Sequence, residues 1–265
     1  MPNEVLEATP VQRVVIKVGT HVITNKDERI VGKILGKLVD QIAYLYEHGI
    51  HAVLVSSGSV IAGKEVMGYE LKATDKITRR QVFSAVGQPR IMRHYYNLFH
   101  GHGMRCAQVL ATKRDFDPGK HRDNMVNCYE GLIAEGVIPI ANEDDAVSLS
   151  MSTFTDNDEL ASLVAELIHA DMLILLTDTD GLFDGHPDDE GTKVIPHVNV
   201  NEPVEQFVQK RDKGEGGGRG GMASKVRIAK HTAKLRIPTF IANGKQDNVI
   251  RDIVYGKTTG TKVTL

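Results

Sequence analysis

Residues 14–20 read VVIKVGT, a β-branched run that is followed by lysine, valine, glycine and threonine. The run predicts a buried strand over residues 14–18. Downstream, residues 34–47 have a helical period with apolar side chains on one face, and residues 52–55 predict a second buried strand. The order strand, helix, strand is typical of a crossover unit in a parallel sheet.

Further runs continue this alternation along the chain. Short aliphatic runs predict more strands at residues 105–110, 138–141, 172–176 and 239–242, and helical period predicts helices at residues 61–66, 80–99 (despite Pro89), 159–170 and 222–235. The alternation predicts an α/β fold, a three-layer α/β/α sandwich around a mainly parallel sheet. We expect residues 1–265 to form a single domain, with residues 203–218 as a candidate mobile insertion.

The composition limits the classes of partner. With 41% hydrophobic residues, a chain of 265 residues has enough apolar surface for a sizeable core. The 32 basic and 34 acidic side chains give a net charge of −2, which favours neither nucleic acid nor an anionic membrane as a partner. No apolar run approaches the roughly 18 residues of a membrane span, and the first ten residues do not resemble a secretory signal. We expect Cys106 and Cys128 to be reduced core thiols, which favours a cytoplasmic protein.

Polar and glycine-rich clusters follow several of the predicted strands. They occupy residues 17–20, residues 56–59, residues 142–145 with 156–158, and residues 177–178 with 216–222. Open parallel sheets bind ligands in the crevice beyond the carboxyl ends of their strands. The clusters are therefore candidates for a common ligand site.

The chemistry of the clusters favours a nucleotide and a small polar acceptor. Glycines before a helix let backbone amides approach phosphate oxygens, and Lys17 and Lys225 add positive charge. The acidic residues suit magnesium or a ligand ammonium group. Simpler explanations exist: Lys17 as a solvated strand end, Ser57 or Asp156 as helix caps, and the glycine run as a linker. The glycine run lacks the Walker pattern, and no dinucleotide fingerprint follows the first strand.

The order of these blocks resembles that of the glutamate 5-kinases of the amino acid kinase superfamily. The matching blocks cover nearly the whole chain and lie at residues 15–20, 55–58, 85–88, 139–143, 156–158, 176–182 and 220–222 with Lys225. The first and last are shared across the superfamily and imply phosphoryl transfer, whereas residues 142–147 and 156–158 resemble glutamate 5-kinases in particular. Two positions depart from the common pattern: Asp144 stands at a frequent asparagine and Arg219 at a frequent threonine.

The resemblance implies roles for individual residues. The implied catalytic residues are Lys17, Asp156, Asp158 and Lys225. The implied substrate-binding residues are Ser57, Gly58, Asn142, Asp145 and Asn157. The implied ATP contacts are Lys17, Thr177, Asp178, Arg219, Gly220, Gly221, Met222, Ala223, Ser224 and Lys225. Mg²⁺ would be held mainly through ATP, so no metal ligand is assigned directly.

The reaction implied by the resemblance is ATP-dependent phosphorylation of the side-chain carboxylate of L-glutamate, which gives L-glutamyl 5-phosphate and ADP as the first step of proline biosynthesis. A glutamate carboxylate, with a pKa of roughly 4.3, is already an ionised nucleophile and needs no general base. The resemblance also implies a homo-oligomer, proline as a feedback inhibitor and functional coupling to glutamyl phosphate reductase. The amino-terminal half would mainly bind the acceptor and the carboxyl-terminal half ATP, and we expect no additional carboxyl-terminal RNA-modification-type domain.

Two other classes of function stay open at this point. Related kinases that act on acetylglutamate, aspartate, a nucleoside monophosphate or an isoprenoid phosphate would share much of the nucleotide half. Phosphate acceptors call for additional basic residues in the amino-terminal half, whereas Asn142, Asp145 and Asn157 suit an acceptor with an ammonium group. A module that senses a ligand without turnover is the other class, but such a module need not retain two lysines and two acids.

Overall fold

The computed structural model describes residues 11–27, 29–69, 71–72, 75–148, 154–209 and 221–265. Its strands are β1 (Arg13–Val18), β2 (His51–Ser56), β3 (Arg105–Ala111), β4 (Val137–Glu143), β5 (Met172–Thr177), β6 (His197–Asn199), β7 (Thr239–Asn243) and β8 (Thr261–Thr264). Its α-helices are α1 (Thr20–Ile23), α2 (Gly32–Glu47), α3 (Ser59–Met67), α4 (Lys76–Gly101), α5 (Lys120–Ala134), α6 (Asn157–Leu167), α7 (Glu205–Gln209), α8 (Met222–Lys234) and α9 (Val249–Val254). A short 3-10 helix spans Lys113–Phe116.

The strands form one continuous sheet in the order β3-β4-β2-β1-β5-β7-β8-β6. Its pairings are parallel except for β7 with β8, which run antiparallel. Strand β1 lies near the middle, with Val15 opposite Val53 of β2 on one side and Leu173 of β5 on the other. The predicted mainly parallel sheet is confirmed, and the β-branched run of β1 is buried because helices cover both faces.

The two faces of the sheet bury separate apolar clusters, because successive side chains of a strand point to opposite faces. Val15 packs in the cluster that includes apolar residues of α5, α6 and α8. Ile16 packs in the cluster that includes those of α2, α4 and α9. The layer order is therefore helices, sheet, helices, which confirms the predicted three-layer sandwich.

Helices α3 and α4 cross with their backbones in close contact at two glycines. A Cβ atom at Gly63 would lie 1.8 Å from the carbonyl oxygen of Phe83, and one at Gly87 would lie 1.7 Å from that of Ser59. Real Cβ atoms are not found at such distances, so either substitution would force the two helices apart. This crossing fixes α4 against the start of α3.

The predicted strands and helices are present, and their ends differ from the observed ends by at most four residues. The helix predicted despite Pro89 is confirmed, because α4 continues through this residue. The structure also contains elements that were not predicted: helices α1, α5, α7 and α9, the 3-10 helix and the short strands β6 and β8. Of the candidate insertion, residues 203–209 contain α7 with Val204 and Val208 buried in the core, and residues 210–218 lie outside the described residues.

The two cysteines are free thiols, but they differ in exposure. Cys106 is half-buried and burial raises its pKa to about 11. Cys128 is exposed, so the expectation of a core thiol is wrong there, because α5 turns Tyr129 and Ile133 inward instead. Within the described ranges, none of the helices has both the length and the apolar character that crossing a bilayer would require.

Candidate active site

The predicted polar clusters meet at the edge of the sheet where β1, β2, β4 and β5 end. Lys17 lies at the carboxyl end of β1, Ser57 directly follows β2, Asn142 lies near the end of β4 and Thr177 ends β5. The amino termini of α6 and α8 reach the same edge, since their side chains contact those of β1 and of each other. This is the position at which open parallel sheets bind ligands.

A buried cluster of three charged residues, here called the lysine trio, consists of Lys17, Asp158 and Lys225. Lys17 Nζ lies 2.7 Å from Asp158 Oδ1, and Lys225 Nζ lies 2.9 Å from Asp158 Oδ2. The exposed fractions are 4% for Lys17, 0% for Asp158 and 5% for Lys225. One carboxylate therefore holds two ammonium groups that come from β1 and α8, which are 208 residues apart in sequence.

Burial and the charges within the trio perturb the pKa values of Asp158 and Lys225. Burial would raise the pKa of the Asp158 carboxyl, but the charges of Lys17 and Lys225 outweigh this effect and hold that pKa below its usual range. Burial lowers the pKa of Lys225, and the charge of Lys17 lowers it further, while Asp158 acts in the opposite direction. Two cations share one anion here, so the trio is suited to receive a further negative group.

Asp156 links the starts of α6 and α8. Its Oδ1 accepts hydrogen bonds from the backbone amides of Asp158 at 2.9 Å and Glu159 at 3.1 Å, which is the geometry of a helix cap. Its Oδ2 accepts a hydrogen bond from Ser224 Oγ in the first turn of α8. The cap explains one oxygen of this carboxylate, and the second oxygen fixes the helix that carries Lys225.

Asn157 joins the carboxyl ends of β2 and β4. Its Nδ2 lies 3.1 Å from the carbonyl oxygen of Ser56, 3.0 Å from Ser57 Oγ and 2.9 Å from Asn142 Oδ1. Three of the predicted substrate-binding residues are thus in direct contact, although they are distant in sequence. Their arrangement presents hydroxyl and amide groups next to the trio, because Asn157 immediately precedes Asp158.

Two glycines keep the backbone close to this group. Gly58, just before α3, has φ 104°, and a Cβ atom there would lie 2.9 Å from Ile23 Cδ1. A side chain at Gly19 would lie 3.2 Å from the carbonyl oxygen of Leu176 and 3.7 Å from Lys17 Nζ. The left-handed backbone at position 58 therefore favours glycine, and the absence of a side chain at Gly19 leaves space beside Lys17.

A second charged group, here called the Arg80 cluster, consists of Arg80, Ser84, Glu143 and Asp145. Arg80 Nε and Nη2 both lie 2.7 Å from Asp145 Oδ1, and Nη2 lies 3.4 Å from Glu143 Oε2. Ser84 Oγ donates to Asp145 Oδ2 at 3.0 Å and lies 3.1 Å from Ser59 Oγ. Burial and the charge of Asp145 raise the pKa of Glu143, against the opposing effect of Arg80.

Of this cluster, only Asp145 was among the predicted site residues. Arg80 and Ser84 lie on α4, more than 60 residues before Asp145 in sequence, and Glu143 is the last residue of β4. The family-like block at residues 85–88 lies on the same helix, but it begins after Arg80 and Ser84. Their one-turn spacing is common on any helix, so it did not distinguish them.

The predicted nucleotide contacts after β5 form a separate group. Thr177 Oγ1 donates to Asp178 Oδ1 at 3.2 Å, and the carbonyl oxygen of Thr177 accepts from the amide of Gly244 at 2.9 Å. Asn243 Nδ2 donates to Asp180 Oδ1 at 2.8 Å, a contact that was not predicted. These contacts tie the loops after β5 and β7 together at the carboxyl edge of the sheet.

Helix α8 begins beside the trio with the carboxyl-terminal part of the predicted glycine cluster. Gly221 precedes the helix, Met222 is buried, Ala223 is exposed and Ser224 contacts Asp156. The first amides of a helix have no partner within the helix, and together with its dipole they favour an anion. Two further predicted ATP contacts, Arg219 and Gly220, lie outside the described residues.

The carboxylates of Asp156 and Asp158 are already engaged by protein groups. Across the part of the chain that the structure describes, no three His, Cys, Asp or Glu side chains converge as a metal site would require. Both oxygens of Asp158 are engaged by lysines, and Asp156 is engaged by α6 and Ser224. Magnesium commonly keeps its waters and binds through one or two carboxylates plus phosphates.

Residues 12–243 match the model of the amino acid kinase family. The chain belongs to the amino acid kinase family. Curated amino acid kinases similar to this chain include the glutamate 5-kinase of Bacteroides thetaiotaomicron, which is 39% identical over 91% of this chain and 66% of the relative. The glutamate 5-kinase of Chlorobaculum tepidum is 39% identical over 95% of this chain and 68% of the relative. The chain thus spans about two thirds of the length of these relatives, and the predicted resemblance is confirmed.

Solved structures confirm the amino acid kinase fold independently of close sequence similarity. The UMP kinase of Bacillus anthracis aligns with a TM-score of 0.66 at 17% identity, covering 97% of both chains. An isopentenyl phosphate kinase of T. acidophilum in a product complex aligns with a TM-score of 0.68 at 15% identity, covering 95% of this chain and 100% of that one. At such identities the likeness concerns the fold alone.

Proposed function

We propose that this chain is a glutamate 5-kinase, which transfers the γ-phosphoryl group of ATP to the side-chain carboxylate of L-glutamate and releases L-glutamyl 5-phosphate and ADP. The observation that carries the proposal is the buried Lys17–Asp158–Lys225 trio at the carboxyl edge of the sheet. Glutamate 5-kinases at 39% identity over more than nine tenths of the chain support the choice of acceptor. In this proposal the reaction is the first step of proline biosynthesis.

The trio suits the charge that develops during phosphoryl transfer. As the bond to the leaving ADP breaks, negative charge is distributed over the oxygens of the transferring group and the leaving group. Lys17 and Lys225 neutralise it, and Asp158 holds both ammonium groups in place before the substrate arrives. Such preorganised charge in a water-poor site is a large contribution to catalysis because no reorganisation accompanies the reaction.

ATP is proposed to lie over the start of α8 and the loop after β5. The first amides of α8 and Lys225 would contact its phosphates, together with Gly221 to Ser224, while Thr177 and Asp178 would contact the rest of the nucleotide. Asp156 holds the first turn of α8 through Ser224. Arg219 and Gly220 remain proposed ATP contacts. Mg²⁺, when bound, would offset phosphate charge, and Asp156 would help to position the complex of metal and nucleotide.

L-glutamate is proposed to bind on the other side of the trio, beside the loops after β2 and β4. Ser57, Gly58, Asn142 and Asn157 would supply hydrogen-bonding groups, and Asp145 would accept from the substrate ammonium. The reacting carboxylate, with a pKa of roughly 4.3, is ionised at neutral pH and attacks without a general base. The protein's task is then to hold the carboxylate in line with the γ-phosphate.

The wider assignments belong to the same proposal. Residues 1–265 would act as one kinase domain, with acceptor groups mainly in the amino-terminal half and nucleotide groups mainly in the carboxyl-terminal half. We propose a cytoplasmic homo-oligomer whose product is used by glutamyl phosphate reductase and whose activity is inhibited by proline bound near the glutamate site.

Hydroxylamine trapping tests the reaction directly, because an acyl phosphate reacts with hydroxylamine to give a coloured hydroxamate complex with iron. Purified protein, Mg-ATP and hydroxylamine would be incubated with L-glutamate, acetylglutamate or aspartate, each against a control without acceptor. Hydroxamate that forms only with L-glutamate is the expected result. Hydroxamate with another acid alone would overturn the acceptor, and ATP binding without any hydroxamate would favour a phosphate-acceptor kinase or a ligand sensor.

A further inference from the structure

Helix α4 holds both loops that flank the proposed acceptor position. Its start is set by Asp75, whose side chain accepts from the amide of Thr78 at 2.8 Å. Farther along, Gly87 lies against the carbonyl oxygen of Ser59, so α4 is in backbone contact with the helix that follows the β2 loop. Arg80, which lies nearer the start of α4, contacts Asp145 in the loop after β4. One rigid element therefore sets the separation of the two loops.

Asp145 is anchored through both of its carboxylate oxygens by residues one helical turn apart. Arg80 places two nitrogens at 2.7 Å from Oδ1, and Ser84 donates to Oδ2 at 3.0 Å. A carboxylate offers about four acceptor positions, so these three contacts leave one position on Oδ2 for another donor. The side chain of Asp145 is 5% exposed, which limits its freedom to turn away from Arg80.

Arg80 is the more accessible partner, with 35% of its side chain exposed. It therefore reaches Asp145 from the solvent side, while Ser84 approaches the other oxygen from within the α3–α4 contact. The planar guanidinium fixes the direction of the carboxylate as a point charge would not, because its donors form a rigid fork. The remaining acceptor position of Oδ2 is thus held in a set direction.

We infer that Arg80 is a positioning residue for the acceptor, which acts through Asp145 by holding its carboxylate in the orientation that receives the ammonium group of an amino acid. The inference rests on the proposed function, because Asp145 is the proposed ammonium partner. Arg80 touches neither the lysine trio nor the start of α8 in the described contacts, so its effect is confined to the acceptor.

The opposite role is that Arg80 occupies the place of the ammonium group and competes with it. The two roles predict opposite changes in the KM for L-glutamate when Arg80 is replaced. A positioning residue, when removed, raises the KM for L-glutamate, whereas a competitor, when removed, lowers it. A purely structural contact would instead lower kcat and thermal stability together and would affect both substrates.

The experiment compares Arg80→Gln and Arg80→Lys with the control Arg79→Gln, a change at the neighbouring arginine of the same helix. The full chain is used, with initial rates of hydroxamate formation measured over L-glutamate and, separately, over Mg-ATP. We expect Arg80→Gln to raise the KM for L-glutamate by roughly 10- to 100-fold, the range for a lost hydrogen bond to a charged group, with kcat and the KM for ATP within about threefold of wild type. Arg80→Lys should give an intermediate KM, and Arg79→Gln the wild-type value.

A KM for L-glutamate within about threefold of wild type in Arg80→Gln, or below it, would overturn the inference. If thermal unfolding shows that Arg80→Gln is not folded, Arg80→Lys takes its place. A raised KM for L-glutamate in Arg80→Lys supports the inference, and an unchanged KM overturns it. Failure of the wild-type chain to form glutamate hydroxamate would instead contradict the proposed function, so the two failures are distinguishable.

Discussion

The lysine trio and the Arg80 cluster use the same kinds of charged group in opposite proportions. In the trio, two ammonium groups flank the carboxylate of Asp158, and in the Arg80 cluster one guanidinium lies between the carboxylates of Glu143 and Asp145. The first arrangement favours an incoming anion and the second an incoming cation. ATP phosphates and an amino acid ammonium are the corresponding ligands in the proposed reaction.

The cations of the two groups differ in burial. The side chains of Lys17 and Lys225 are 5% and 6% exposed, whereas that of Arg80 is 35% exposed. Charges that water cannot reach interact strongly and are costly to leave unpaired, while partly exposed charges are screened. Changes in the trio should therefore affect both the chemical step and stability, and changes in the Arg80 cluster should mainly affect acceptor binding.

The largest effect is expected from Lys225→Ala. This change removes one of the two cations that face the transferring phosphoryl group, so we expect kcat to fall on the order of 1000-fold with the dissociation constant of L-glutamate little changed. Hydroxamate rates and calorimetric titration of L-glutamate measure the two quantities. Lys234→Ala, in the exposed last turn of the same helix, is the matched control. Normal turnover in Lys225→Ala would remove the trio from the mechanism.

Asp158→Asn is expected to have the largest effect on stability. It leaves two buried ammonium groups without the carboxylate that lies 2.7 and 2.9 Å from them. The expected loss in the free energy of unfolding is about 3 to 5 kcal/mol, the range for breaking one partner of a buried ion pair. Urea denaturation at pH 7 measures it. A variant as stable as wild type would show that the trio is less charged than its geometry indicates.

The same variant should change the acid limb of the stability profile. Because the pKa of Asp158 is held below the usual value of 3.8, its stabilising contribution is fully present above that value and is lost as the pH falls towards the lowered pKa. In this window the unfolded chain binds more protons, so stability rises with pH. Denaturation midpoints of wild type should therefore fall more steeply below pH 4 than those of Asp158→Asn. Parallel profiles would contradict a lowered pKa of Asp158 in the folded protein.

Asp145→Asn tests the acceptor side with a smaller effect. The side chain keeps its shape but loses the negative charge that faces the proposed ammonium, so the KM for L-glutamate should rise by roughly 10- to 100-fold with the KM for ATP unchanged. Asp144→Asn, one residue earlier, is the control, because the Asp144 carboxylate accepts only a local contact from the amide of Ala146 at 3.2 Å among the described hydrogen bonds. An equal rise in the KM for L-glutamate at both positions would mean that the negative charge of the loop matters but the orientation of the Asp145 carboxylate does not.

Gly87→Ala should have the smallest effect on chemistry. Its Cβ would lie 1.7 Å from the carbonyl oxygen of Ser59, so the helices must separate, at a cost of about 1 to 3 kcal/mol in stability. Because the shift moves the β2 loop relative to Asp145, the KM for L-glutamate should rise more than the KM for ATP. Gly101→Ala, at the end of α4 with open space around it, is the matched control. Comparable changes in both constants would show that α4 does not serve the acceptor side alone.

Much of the fold could be predicted because its strong elements have clear periods. The β-branched run at β1 and the amphipathic face of α2 left little ambiguity. Helix α5 was missed because only Tyr129 and Ile133 of its residues are buried, so its apolar period is weak. Strands β6 and β8 were missed because three or four residues with mixed burial carry little pattern, and their pairing depends on partners distant in sequence.

The candidate site was predicted as residue types but not as contacts. The family resemblance named Lys17, Asp158 and Lys225 and implied that Asp158 orients the two lysines, but the burial of the three side chains and the 2.7 and 2.9 Å distances come only from the structure. Arg80 was missed for a related reason. An arginine in the first turns of a helix is usually a solvated residue, and only the three-dimensional proximity of Asp145 distinguishes it.

The glycine contact between α3 and α4 has a further consequence for how the acceptor side is ordered. Glycine has no side-chain rotamers, so bringing Gly63 and Gly87 against the facing backbone freezes no side-chain freedom. The entropy lost there is that of the backbone, and it is lost once, when the chain folds. Binding of a small acceptor then needs to order few protein groups at this crossing, which leaves more of the interaction energy for affinity.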